Sequence, residues 1–158
     1  MTGGDTARYI VVGVTPKQPL AVLRYAARFA RQFDAVLVCA NVELGSYVVA
    51  EHPDGSVESR PIDPDQLDWN TAVFDGGLAH LIRSVADQEG VRVEFRELAG
   101  DISHALDRLA VVLGAEMIIV GSRRGGVRSS MHEFFGGSVA AHLAHRQPRP
   151  VVVVPVHT

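Results

Sequence analysis

Cysteine is nearly missing: the 158 residues hold one, Cys39. No disulfide can form within the chain, which excludes the cross-linked frameworks of small secreted domains. Cys39 lies inside the apolar run from Ala35 to Val42 and reads as a small buried hydrophobe in a reducing compartment. No apolar stretch approaches the ~20 residues that a membrane-crossing helix needs, and Met1 to Arg8 lacks the apolar segment of a secretory signal. A cytoplasmic protein with no membrane partner is expected. Excess charge of one sign is also lacking, with 15 Lys and Arg against 18 Asp and Glu, a net charge of −3 and a pI near 6.1. Such a field repels polyanions, so no nucleic-acid partner is expected. Arg123, Arg124 and Arg128 make the one basic cluster. No Gly-x-x-x-x-Gly-Lys-Ser/Thr run occurs, and no Gly-x-Gly-x-x-Gly follows the first apolar run, which removes the P-loop and the dinucleotide fingerprint.

What the chain does have is a full apolar complement. Hydrophobic residues make up 47% and charged residues 21%, proportions that support a packed core. The length suits one domain over residues 1–158, with a flexible N-terminus at 1–8.

Tyr9 to Val14 is a β-branched run stopped by Thr15-Pro16 and reads as a strand buried on both faces. From Leu20 to Phe33, apolar Leu20, Leu23, Ala26, Ala27, Ala30 and Phe33 recur every three or four residues, which predicts an amphipathic helix. Ala35 to Val42 is a second buried strand. Between Glu43 and Asp68 the prolines Pro53, Pro61 and Pro64 and the Asp54-Gly55 pair interrupt a polar stretch without sustained periodicity, so 43–68 is predicted to be a variable loop. Asp68 is expected to cap a helix that runs to about Gln88 and ends at Gly90, with Trp69 as an apolar anchor at its start. Asp75-Gly76-Gly77 is its weak point.

Val91, Val93 and Phe95 alternate with Arg92, Glu94 and Arg96, the pattern of a strand at a sheet edge. Asp101 should cap a helix over Ile102 to Leu113, closed by Gly114. Glu116 to Val120 is a fourth core strand, Ser138 to about Arg146 a last helix, and Val151 to Val154 the final strand. Strands alternating with helices predict a parallel sheet covered on both faces, with ligands gathering at the carboxyl ends of the strands. Thr15 onward, Val42 onward and Gly121 to Ser138 share that rim.

Gly136-Gly137 leads into the last helix through Ser138, where exposed backbone N–H groups and the helix dipole suit either a phosphate or a plain helix cap. Gly136-x-Ser138 lacks the preceding strand of a nucleophile elbow, so the cap is preferred to a catalytic serine and no catalytic residue is assigned. His142 and His145 stand three apart on that helix, but nothing at ligand spacing joins them; they suit the helix dipole, and no metal site is assigned.

The order of three segments then carries a resemblance. Val120-Gly-Ser-Arg123, Gly137-Ser-Val-Ala140 and Arg149-Pro-Val-Val-Val-Val-Pro155, with Gly100-Asp101 before the third helix, resemble the universal stress protein family over nearly the whole chain. The resemblance implies a three-layer α/β/α fold, a five-stranded parallel sheet of order 3-2-1-4-5, of the adenine nucleotide alpha hydrolase-like type. It also implies a homodimer paired through Val151, Val152, Val153 and Val154. An apolar last strand left as a free edge would itself be an aggregation hazard.

Carried onto this chain, the family's ATP site implies Val14, Thr15 and Pro16 after the first strand, and Asn41 and Val42 after the second. The phosphate loop would use Gly121, Ser122, Arg123, Arg124, Gly125, Gly136, Gly137, Ser138 and Val139. Two departures stand out. Thr15 occupies the place of the family's aspartate. Gly121 and Gly137 are 16 positions apart, three more than the Gly-x2-Gly-x9-Gly motif spans. The longer loop brings Met131, Phe134 and Phe135, apolar enough to fill the pocket, while Arg123, Arg124 and Ser138 still offer phosphate contacts.

Three functions follow. One is a non-enzymatic stress-response module that holds ATP or a related adenine nucleotide, with Mg²⁺ only if ATP binds. The second is a nucleotide-free interaction domain, its pocket filled by the 122–136 loop and acting on an unknown protein partner. The third is a weak ATPase.

Overall fold

The computed structural model describes residues 6–17, 20–65, 74–122 and 138–156. Five strands form one sheet: β1 (Arg8–Gly13), β2 (Ala35–Glu43), β5 (Val93–Ala99), β6 (Met117–Gly121) and β7 (Val151–Val154), in the spatial order β5-β2-β1-β6-β7. All four pairings are parallel, and counted along the sheet strands alone this is the expected 3-2-1-4-5. β1 starts at Arg8, inside the stretch expected to be flexible, because Arg8 already pairs with Ala35 of β2.

Parallel strands need crossovers, and four helices supply them: α1 (Leu20–Phe33), α2 (Gly76–Glu89), α3 (Ile102–Leu113) and α4 (Ser138–Arg146). The pleat divides each strand between two cores. Ile10, Val12, Leu37, Cys39 and Ile119 pack with Ala26 and Ala30 of α1 and Ile82 of α2. Val11, Val38, Ala40 and Ile118 pack with Leu106 and Leu109 of α3 and Leu143 of α4. Ile10, Val11 and Val12 are wholly buried, worth about 2 kcal/mol apiece for the area removed from water.

Two expectations fail. The stretch 43–68 is not a loop throughout: β3 (Ser46–Glu51) and β4 (Val57–Pro61) form an antiparallel hairpin. Its prolines sit where pairing is not required, Pro53 in the connecting turn and Pro61 at the end of β4, so they mark the strands' limits rather than exclude them. Tertiary contacts hold it in place. Arg96 Nε donates to Asp54 O at 2.9 Å, Val57 packs on the second core, and Gly55 lies against Leu109 so closely that a Cβ there would collide with it.

The second helix starts at Gly76, not after Asp68. Asp75 is its cap, accepting from Leu78 N at 2.8 Å, and Gly76-Gly77 fall in the first turn, where N–H groups have no intrahelical acceptor anyway. Asp68 and Trp69 lie outside the described residues. Gly90 ends the helix in the left-handed conformation as expected, and Val91 N donates back to Ala86 O. That bond commits Val91 to the helix end, which is why β5 starts at Val93 rather than Val91. As expected, β5 is an edge strand, and Asp101 caps α3 by accepting from His104 N at 2.9 Å.

Candidate functional site

The rim at the carboxyl ends of the strands is set by β1. Ile10, Val11 and Val12 stand opposite Met117, Ile118 and Ile119 of β6, and continuing that register brings Val14 level with Gly121. Thr15 and Gly121-Ser122 therefore leave the sheet side by side. Gly13 permits close packing beneath them, since a Cβ there would lie 3.2 Å from Leu106 Cδ1. Val14 is buried, while Thr15 and Pro16 are exposed on the rim.

On the other side of β1, Val14 N donates to Ala40 O at 2.8 Å, the last bond of the β1–β2 ladder. Successive residues of a strand present their backbone groups to opposite neighbours. Ala40 faces β1, Asn41 faces β5 and Val42 faces β1 again, beyond the point where β1 has ended. Val42 thus directs one donor and one acceptor toward the space above Thr15. Asn41 and Val42 are both half-buried.

The expected phosphate side divides. Ser122 is tied to the last strand: its N–H donates to Val154 O at 2.8 Å, and its Oγ accepts from Val156 N at 2.7 Å. The hydroxyl assigned to a ligand therefore anchors the chain after β7, which spacing alone did not reveal. Ser138 opens α4 and Val139 packs against the second core. Because α4 runs back to the start of the parallel strand β7, its N-terminus lies at this rim. Arg123, Arg124, Gly125, Gly136 and Gly137 lie outside the described residues.

Sequence reasoning missed Glu97. Asn41 Nδ2 donates to both of its carboxylate oxygens, at 3.1 Å each, straight across the β2–β5 ladder. Burial is the main influence on this carboxyl and raises its pKa; the Asn41 bond opposes the shift and the charge of Glu43 adds to it. The signal was present in the alternation: Val91, Val93 and Phe95 are followed at the next apolar position by an acid. Cys39, by contrast, is wholly buried, and burial raises its pKa far above the ordinary value, leaving an unreactive thiol.

Among the described residues no three His, Cys, Asp or Glu side chains gather as metal ligands, and no helix is long and apolar enough to cross a membrane. A cleft lined by Arg83, Asp87 and Val91 to Glu94 opens at the opposite rim, beside the start of β5.

The sequence profile of the universal stress protein family matches residues 6–155. No curated protein sequence matches the chain. Among solved structures it is similar to a universal stress protein in complex with cAMP, at 20% identity and a TM-score of 0.58, covering 94% of this chain and 97% of that one. It is similar to a universal stress protein from Archaeoglobus fulgidus in complex with dAMP, at 19% identity and a TM-score of 0.59, covering 94% and 98%. A universal stress protein family protein from Arabidopsis thaliana with AMP bound matches at 15% identity and a TM-score of 0.55, covering 96% and 93%. At these identities the likeness establishes the fold.

Proposed function

The chain belongs to the universal stress protein family, and from that premise we propose that it is a non-enzymatic module that binds an adenine nucleotide on the rim between Thr15, Val42 and Gly121. The carrying observation is Val42, whose backbone N–H and C=O face the space vacated by β1. An N–H donor beside a carbonyl acceptor matches adenine's N1 acceptor and 6-amino donor. The family relatives with cAMP, dAMP and AMP support the same ligand class. Thr15 offers a ribose one neutral hydroxyl where a carboxylate would accept two bonds, so affinity is lower than an aspartate would provide. Arg123, Arg124 and the glycines around Gly136 are the phosphate contacts in this reading, with Mg²⁺ following ATP only. The described rim presents a neutral threonine hydroxyl and a Ser122 already engaged with Val156, an arrangement suited to holding rather than hydrolysing a nucleotide.

The self-filled pocket is the second reading, favoured by the three extra residues between Gly121 and Gly137 and by Met131, Phe134 and Phe135 within them. Titration with AMP and with ATP and Mg²⁺, followed by heat and melting temperature, separates the two. Ligand at 100 times Kd stabilises a binding protein by about 2.7 kcal/mol; no heat, no shift and no co-purified nucleotide would favour the filled pocket.

The same proposal includes a cytoplasmic homodimer. β7 is the sheet's other edge, and Val153 is 44% exposed upon it. Antiparallel pairing of two such strands would satisfy the free backbone groups and cover the valines.

A further inference from the structure

The sheet's two edges are built differently. On β7 the exposed Val153 lies open. On β5 the pairing with β2 fixes which backbone groups look outward. Leu37 N donates to Arg92 O at the start of the strand, and Gly100 N donates to Glu43 O just past its end. In a parallel ladder of that register, Glu94, Arg96 and Leu98 turn their backbone groups to β2, while Val93, Phe95 and Glu97 turn theirs to the open side. Among the described residues no strand pairs with that side. A row of unpaired donors and acceptors is a template for another chain.

One side chain stands in that row. Arg96 Nη1 donates to Phe95 O at 2.9 Å, closer than the roughly 4.8 Å at which a neighbouring strand would lie. Its other nitrogens are held: Nε donates to Asp54 O in the hairpin turn at 2.9 Å, and Nη2 to Glu94 Oε2 at 3.0 Å. The Arg96 side chain is only 13% exposed, and three bonds fix its planar group in one place. We propose that Arg96, positioned by the docked hairpin, guards β5 against strand addition by a second copy of the chain. The edge is self-complementary: two such strands laid antiparallel about a twofold axis at Phe95 would exchange both backbone bonds between the Phe95 residues and set Glu94 of each opposite Arg96 of the other. Those bonds need Phe95 O, which Arg96 occupies. The inference is independent of the nucleotide reading and of pairing through β7.

The test measures mass by light scattering over a range of protein concentrations. Arg96→Ala removes the guard, and its mass should rise with concentration to about twice that of the wild type or more, since each β5 edge that opens takes one partner. Adding Val93→Pro should return it to the wild-type mass. The Val93 N–H faces the open side, so proline there breaks no bond to β2 and removes only a donor that an added strand would use. If Arg96→Ala does not fold, Gly55→Ala takes its place, because it displaces the hairpin turn that holds Arg96; its growth in mass should likewise be reversed by Val93→Pro. A mass equal to that of the wild type in the folded variant, or self-association that survives Val93→Pro, overturns the guard.

Discussion

Arg108 Nη1 of α3 stands 2.9 Å from Glu51 Oε2 of β3, and the same guanidinium donates to Gly55 O at 3.3 Å. One helical side chain thus holds both the first strand and the turn of the hairpin. Arg108 is only 16% exposed and Glu51 56%, so the pair is partly screened and the Arg stem also contributes packing. Arg108→Ala should lower unfolding free energy by about 1 kcal/mol. Urea titration reads the loss, and hydrogen exchange should show it concentrated in 46–61.

Gly55 sets a sharper limit on the same hairpin. Its φ of +85° and its contact with Leu109 leave no room for a side chain. Gly55→Ala combines backbone strain with a steric clash and should cost about 2 kcal/mol or more. A variant as stable as the wild type in urea would mean the turn does not dock on α3.

The stability of the chain should depend on pH through Glu97. An acid whose folded pKa is raised contributes full stability below its unfolded value and loses that contribution as pH rises through the folded value. The shift starts from the ordinary 4.5 and reflects burial and the Glu43 charge against the Asn41 bond. Glu97→Gln removes the ionisation, so its stability relative to the wild type should rise from pH 4 to neutrality. Parallel urea curves at both pH values check the sign; a Glu97→Gln stability that falls relative to the wild type as pH rises contradicts it.

Dimerisation through β7 predicts a mass near twice 17.0 kDa by light scattering for the wild type. Val153→Lys places a charge on the exposed edge and should yield the monomer. A monomeric wild type removes the strand-pairing proposal.

Ser122→Ala deprives Val156 N of its acceptor and should cost about 1 kcal/mol. The loss should appear as a lower melting temperature already in the nucleotide-free protein.

Much of this was readable along the chain. Asp101, Gly90 and Gly114 act through bonds to residues a few positions away, so their patterns are local, and the helices and core strands follow. The hairpin was not readable in that way. Ser46 to Glu51 has strand-forming residues, but its pairing is broken by a register shift between Val48 and Ala50, and it is held by Arg96 and Arg108 from far along the chain. The Asn41–Glu97 pair left a trace, an acid in an apolar series, but its meaning needed the register that sets position 41 against 97.

By itself the sequence determined the alternation of strands and helices, the family to which they belong and the rim where a ligand would gather, because periodicity and capping act within one or two turns of chain. Only the tertiary structure decided that residues 46–61 fold as a docked hairpin, that Ser122 anchors Val156 and that Glu97 stands opposite Asn41. Each of these depends on which distant segments become neighbours in the sheet, a matter settled by packing and register rather than by local preference.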